Sequence, residues 1–174
     1  MEDTRNVIDK YKGLAIEDII DDLDNKGSLL EIAIDNVERD YNMGTIVRSA
    51  NAFGVRHIHI IGRRQWNKRG AMMTDKYLHV HYYNDAAEFM ASISDKALIA
   101  IDNIEGSVPL GSAILPEKCV LLFGAEGPGI SPELASQASK IVAIEQFGST
   151  RSINVGVAAG IVMYEWVRQN LLHG

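Results

Sequence analysis

Cys119-Val120-Leu121-Leu122-Phe123-Gly124-Ala125-Glu126-Gly127-Pro128-Gly129-Ile130-Ser131 is the stretch on which the fold turns. Its first five residues are apolar without alternation, the pattern of a strand buried on both faces of a sheet. Three glycines in the next six positions let the backbone approach a ligand closely and expose N–H groups. Neither the P-loop pattern nor the dinucleotide Gly-x-Gly-x-x-Gly pattern is present, which disfavours phosphate cradling. A tight turn and a ligand loop both remain open for this segment.

Working outward, the chain alternates strand-like and helix-like segments. Strands are predicted at 30–37, 55–61, 78–83, 97–101 and 141–144, and helices at 45–53, 85–93, 132–139 and 155–172. Gly54 and Gly62 punctuate the pattern, and Ser131 with Pro132 marks a helix start. This alternation predicts an α/β fold, a parallel sheet with helices on both faces, with ligands bound beyond the carboxyl ends of the strands. Residues 4–24 read as one or two short helices with acids between the apolar positions, and Asn25-Lys26-Gly27-Ser28 breaks that pattern. The expected division is an acidic helical extension at 1–28 and one domain at 29–174.

The composition bounds the class. A chain of 174 residues with 47% hydrophobic and 23% charged residues is long enough for one sizeable core and is neither disordered nor collagen-like. No apolar run reaches the ~18 residues of a membrane span, and the acidic start lacks a signal-peptide pattern. The single cysteine, Cys119, reads as core rather than nucleophile and fits a reducing, cytoplasmic compartment.

The net charge of −6 is unevenly spread. Residues 1–35 hold ten Asp/Glu against four Lys/Arg, whereas 39–76 hold eight basic residues (Arg39, Arg48, Arg56, Arg63, Arg64, Lys68, Arg69, Lys76) against Asp40 and Asp75. A local positive field of this kind attracts phosphate even on an acidic protein, because screening limits the reach of distant charge to ~8 Å. A solvated basic loop is the plainer reading.

Two more stretches are rich in glycine and small polar residues. In the first, Asn42-Met43-Gly44-Thr45-Ile46-Val47-Arg48-Ser49-Ala50, Asn42 stands at a loop end and Arg48 on the following helix, so both can face one crevice. Asn42 as a helix cap and Arg48 as a surface residue is the alternative. In the second, Ile144-Glu145-Gln146-Phe147-Gly148-Ser149-Thr150-Arg151-Ser152-Ile153-Asn154, Ser152 and Asn154 bracket a helix start. Val155-Gly156-Val157-Ala158-Ala159-Gly160 then offers a small-residue face for a subunit contact or an internal crossing. His57 with His59, and His79 with His81, share strand faces without an accompanying acidic or cysteine ligand set, so no metal is expected.

In this order and spacing the three glycine-containing stretches resemble the motifs of the SpoU/TrmH branch of the SPOUT RNA methyltransferases. Asn42-x-Gly44-x-x-x-Arg48-x-Ala50 is similar to the first motif, Phe123-Gly124-x-Glu126-x-x-Gly129-Ile130 to the second, and Ser152-Ile153-Asn154-Val155-x-Val157-Ala158 to the third. The segment 69–77 is similar to that of tRNA-directed members. The resemblance covers about residues 30–170 and departs from the family at Glu145-Gln146 and Gly156.

The resemblance implies a C-terminal deep trefoil knot, a homodimer, and S-adenosylmethionine bound around Ile101, Gly124, Ile144, Gln146, Ser152 and Ile153. It implies methyl transfer to a ribose 2′-hydroxyl of RNA, with Arg48 at the hydroxyl as base or electrostatic positioner; a guanidinium is by itself a poor base. Asn42, Glu126, Ser152 and Asn154 are the expected orienting residues. Arg63, Arg64, Lys68, Arg69 and Arg151 are the expected RNA contacts. The expected target is tRNA, with a D-loop guanosine first, the wobble nucleotide second and rRNA third. A catalytically silent RNA-binding relative and a nucleotide-binding α/β protein without RNA chemistry are the rival readings.

Overall fold

The computed structural model describes residues 4–36, 42–125 and 127–172. Seven strands form one sheet in the order β3-β2-β1-β6-β4-β7-β5, with every neighbouring pair parallel. They are β1 (Leu30–Asn36), β2 (His57–Gly62), β3 (His79–Tyr83), β4 (Ala97–Ile101), β5 (Val108–Pro109), β6 (Cys119–Phe123) and β7 (Lys140–Ala143). The helices are α1 (Ile16–Asp24), α2 (Met43–Ala52), α3 (Ala86–Ser92), α4 (Pro132–Gln137) and α5 (Val155–Val167), the last continued by a π-helical turn at Arg168–Leu172.

Side-chain alternation along each strand builds two apolar layers. Leu30, Ile32 and Ile34 of β1 join Cys119, Leu121 and Phe123 of β6 in one cluster with Ile46 and Val47 of α2 and Val162 and Trp166 of α5. Ala33, Val120 and Leu122 face the other way, into a cluster with Phe89 of α3 and Leu134 of α4. The expected parallel sheet with helices on both faces is present, and β6 lies at its middle, buried throughout. Burial pushes the Cys119 thiol up to about 12, as for a core cysteine.

The register aligns the carboxyl ends of the strands along one edge: Ile34 and Ile101 both pair with Phe123, and Ile101 pairs with Val142. Several bounds differ from the sequence reading. The strand β5 is two residues long and contains Pro109, too short for a periodicity signal. The basic connection between β2 and β3 is wound into two 3-10 turns, Lys68–Ala71 and Thr74–Tyr77.

The acidic segment contains a 3-10 turn at Asp9–Tyr11 and the helix α1. Tyr11 and Ile19 pack with Tyr77, so the apolar face of this segment covers the β2–β3 connection. Arg56 departs from its expected place on a basic face: it is buried, and its Nε donates to Asp24 Oδ1 at 2.7 Å. A β-carbon on Gly27 would stand 2.2 Å from Arg56 Cγ, so glycine there is what lets the chain lie on the arginine stem.

Candidate functional site

The loop after β6 closes on itself. Gly129 N donates to Ala125 O at 3.0 Å, and a β-carbon on Gly124 would lie 2.1 Å from the carbonyl carbon of Gly129. Gly127 and Gly129 have φ of +101° and +73°, conformations that glycine adopts without cost. Buried Asp35 of β1 fixes the far end of the loop, its Oδ2 accepting from Ser131 N at 2.8 Å. Ser131 is the N-cap of α4 but makes no side-chain cap bond, and Pro132 stands in the first turn as expected.

Beside this loop lies a cavity of about 300 Å³, bounded by the segments after β4, β6 and β7 and by the start of α5. All six residues expected to hold the cofactor line it: Ile101, Gly124, Ile144, Gln146, Ser152 and Ile153. Asp102 and Asn103 also line it and were not singled out from the sequence. Their position directly after a strand's carboxyl end was the signal that could have found them. Asn103 Nδ2 donates to Arg151 O at 3.3 Å, tying the segment after β4 to the one after β7. Glu145, where the sequence departs from the family pattern, accepts from Gly111 N at 3.0 Å through Oε1.

Asn154 joins this crevice to the first motif. Its Oδ1 caps α5 by accepting from Gly156 N and Val157 N at 2.9 and 3.2 Å, while its Nδ2 donates to Asn42 Oδ1 at 2.8 Å. Asn42 is the N-cap residue of α2, yet its side chain does not cap that helix. The capping alternative for Asn42 therefore gives way to a bridge across 112 residues of sequence. Gly156 completes the junction, because a β-carbon there would stand 3.2 Å from Thr45 Cγ2.

Arg48 lies on α2, one turn beyond Thr45, exposed and without an ion pair or hydrogen bond among the described residues. Glu126 lies outside the described residues, as does Arg39. The expected RNA contacts divide into three places. Arg63 and Arg64 follow the carboxyl end of β2, Lys68 and Arg69 sit on the 3-10 turn beside α2, and Arg151 belongs to the crevice loop. Lys68 Nζ pairs with Asp75 at 2.9 Å. A β-carbon on Gly44 would meet Ala71 N at 2.7 Å, so the basic turn touches the first turn of α2 directly.

The four histidines form a ladder on β2 and β3 rather than a ligand set. His57 Nδ1 shares a hydrogen bond with His81 Nε2 at 3.0 Å, His59 with Glu31 at 2.8 Å, and His79 with Asp24 at 2.9 Å. No group that could hold a metal ion occurs among the described residues, and none of their helices is long and apolar enough to cross a membrane.

A crevice outside the carboxyl ends of parallel strands, floored by isoleucines and rimmed by backbone and short polar groups, defines a small-molecule-binding α/β protein. The chain belongs to the SpoU rRNA Methylase family, whose model matches residues 29–164. Among curated relatives it is 28% identical over 153 residues to the tRNA (guanosine(18)-2′-O)-methyltransferase of Aquifex aeolicus, covering 84% of this chain and 72% of that one. Among solved structures it is similar to the A. aeolicus TrmH/SpoU tRNA modifying enzyme, with a TM-score of 0.77, 26% identity and coverage of 90% and 84%. It is also similar to an AdoMet-bound rRNA methyltransferase from Sinorhizobium meliloti, with a TM-score of 0.73, 27% identity and coverage of 82% and 57%. The chain spans about half the length of the mycobacterial relatives it matches.

Proposed function

We propose that this protein transfers a methyl group from S-adenosylmethionine to a ribose 2′-hydroxyl of tRNA. The observation that carries the reading is the Asn42–Asn154 hydrogen bond, which fastens the helix bearing Arg48 to the rim of the crevice. Family membership and the similarity to a tRNA 2′-O-methyltransferase support the same reaction.

The crevice fits the cofactor on its own chemistry. Its polar lining includes Gln146, whose Oε1 is buried with no protein partner and is thus available to a donor on a ligand. Ile101, Ile144 and Ile153 offer an apolar floor for an adenine ring, and Asp102 and Asn103 offer acceptors for ribose hydroxyls. When bound, S-adenosylmethionine supplies an electrophilic methyl group on a sulfonium. Its methyl carbon would be taken by the acceptor O2′, with the electron pair of the carbon–sulfur bond remaining on sulfur as a neutral thioether. Arg48 would orient the hydroxyl and stabilise the charge developing on O2′ as its proton passes to solvent water. The Asn154–Asn42 bond joins the crevice loop to α2, and Ser152 and Glu126 are assigned with this pair by the family motif.

Arg63, Arg64, Lys68, Arg69 and Arg151 are assigned to RNA phosphates. The finer assignments are a guanosine of the D-loop, a cytoplasmic site of action, and a C-terminal trefoil knot involving 124–131 and 144–154. The acidic segment at 1–28 is assigned as an extension packed on the catalytic domain at 29–174. A homodimer is supported by the exposed apolar strip of Val157, Ile161 and Tyr164 on α5.

Transfer of labelled methyl to unmodified total tRNA, followed by alkaline hydrolysis, tests the reading. An alkali-resistant labelled dinucleotide is expected and names the nucleotide. Cofactor binding without transfer to tRNA or rRNA would instead indicate an RNA-binding relative without turnover.

A further inference from the structure

A second cavity, of about 330 Å³, opens between the N-terminal segment and the connection from β2 to β3. Arg5 contributes from one side, and Lys68, Arg69, Met72, Met73 and Tyr77 from the other. Three features set this cavity apart from an ordinary surface cleft.

Met72 and Met73 are the two non-glycine residues with positive φ among the described residues, at +49° and +65°. A long side chain seldom adopts that conformation, and two in succession mark a segment whose backbone is held against its preference. The strain does not serve core packing, because the two side chains are 53% and 55% exposed. Backbone strain and exposed thioethers together present a soft apolar surface to something outside the protein. The lining is also cationic, with Arg5, Lys68 and Arg69 around the methionines; Lys68 pairs with Asp75, and Arg5 Nη2 donates to Tyr11 O at 3.3 Å. Finally, the cavity adjoins the candidate site. Gly70, between Arg69 and the methionines, packs against the backbone of Gly44 and Thr45 in the first turn of α2.

We propose that this cavity binds one unstacked nucleotide of the substrate RNA, its base against the Met72 and Met73 thioethers and its flanking phosphates on Arg5 and Arg69. A free anion would use the cations and leave the thioethers idle, and an apolar ligand would do the reverse; a nucleotide uses both. The volume is at the lower end of small-ligand pockets, which suits a base with its sugar. This inference rests on RNA being the substrate and adds an anchoring point on α2's flank, with a residue of the N-terminal segment taking part.

The test is fluorescence anisotropy of a labelled, unmodified tRNA transcript titrated with wild-type protein, Arg5→Ala, Arg69→Ala and the double variant Met72→Gly/Met73→Gly, over a range of salt. Glycine accepts the positive φ, so the double variant removes the thioethers while keeping the backbone path. Thermal unfolding confirms that each variant is folded. Each arginine variant is expected to weaken binding about three- to tenfold and to make the dependence of log affinity on log salt shallower by about 1. The glycine pair is expected to weaken it about fivefold or more with the slope unchanged. Unchanged affinity in the glycine pair, or an unchanged slope in both arginine variants, overturns the proposal. Methyl transfer measured on the same preparations separates the two readings. Wild-type binding with the expected variant losses but no transfer overturns the enzymatic reading and supports the subsite, whereas transfer with equal binding in every variant overturns the subsite alone.

Discussion

At Arg48 and Gly124 the proposed reaction meets its sharpest tests. Arg48 is exposed on a helix fastened to the crevice through Asn42 and Asn154. Arg48→Ala is therefore expected to lower kcat by about 10²- to 10⁴-fold, the usual range for a group acting on the transferred proton or its charge, with cofactor affinity unchanged. Single-turnover methyl transfer alongside calorimetric titration of S-adenosylmethionine checks both halves. Gly124 acts through space rather than chemistry. Because a β-carbon there would overlap the Gly129 carbonyl carbon at 2.1 Å, Gly124→Ala forces the loop open. The expected outcome is a loss of about 1–3 kcal/mol in denaturant unfolding together with loss of cofactor binding. The places of Gly124 on the crevice wall and of Arg48 on α2 were legible in the sequence, because spacing within a motif survives folding. The Asn42–Asn154 bond was not, since no local pattern relates positions 112 residues apart.

At the scale of elements, the pairing of β2 with β3 stacks His57, His59, His79 and His81 on one face, with ring centroids 5.0–5.2 Å apart. Burial, with the charge of neighbouring histidines, holds His57 and His81 below the usual imidazole value. Burial pushes the Glu31 carboxyl up, but hydrogen bonds from His59 and Lys96 outweigh it and hold it at about 2. The folded state thus resists protonation at all three groups. The histidine contribution is complete above about pH 6.5 and is lost as pH falls below it, and the Glu31 contribution is lost between about pH 4.5 and 2. Urea unfolding across this range is expected to show stability level above neutrality and falling in two stages. Glu31→Gln should remove the lower stage and leave the upper one. Individual strands were visible to periodicity, but this ladder depends on which strands become neighbours and in what register. The same is true of Arg56, which reads as a basic surface residue until α1 brings Asp24 to it.

For the whole molecule, the sheet order places β6 centrally, and on α5 Val157, Ile161 and Tyr164 form an apolar strip that faces outward. A second copy of the chain is the expected cover. Light scattering after gel filtration is expected to give a dimer for the wild type and a folded monomer for Val157→Asp/Ile161→Asp; a monomeric wild type would remove the dimer from the proposed function. The class of fold was readable because six apolar strands and their intervening helices each carry their own pattern. The two-residue β5 and the paired 3-10 turns carry none, being set by what they pack against.

The two tryptophans of the chain give the molecule a pair of optical reporters with separate duties. Trp166 is fully enclosed on α5, its Nε1 donating to Pro116 O at 2.9 Å, so its emission senses the integrity of the core. Trp66 is also buried, its Nε1 donating to Tyr82 Oη at 3.4 Å, but it lies in the basic connection with Lys68 Nζ 5.4 Å from its ring, so a phosphate that draws Lys68 away changes its surroundings. Added RNA should quench the Trp66 signal and leave that of Trp166 untouched, a contrast that Trp66→Phe would abolish. Arrival of substrate and loss of structure can then be followed in one cuvette without a label.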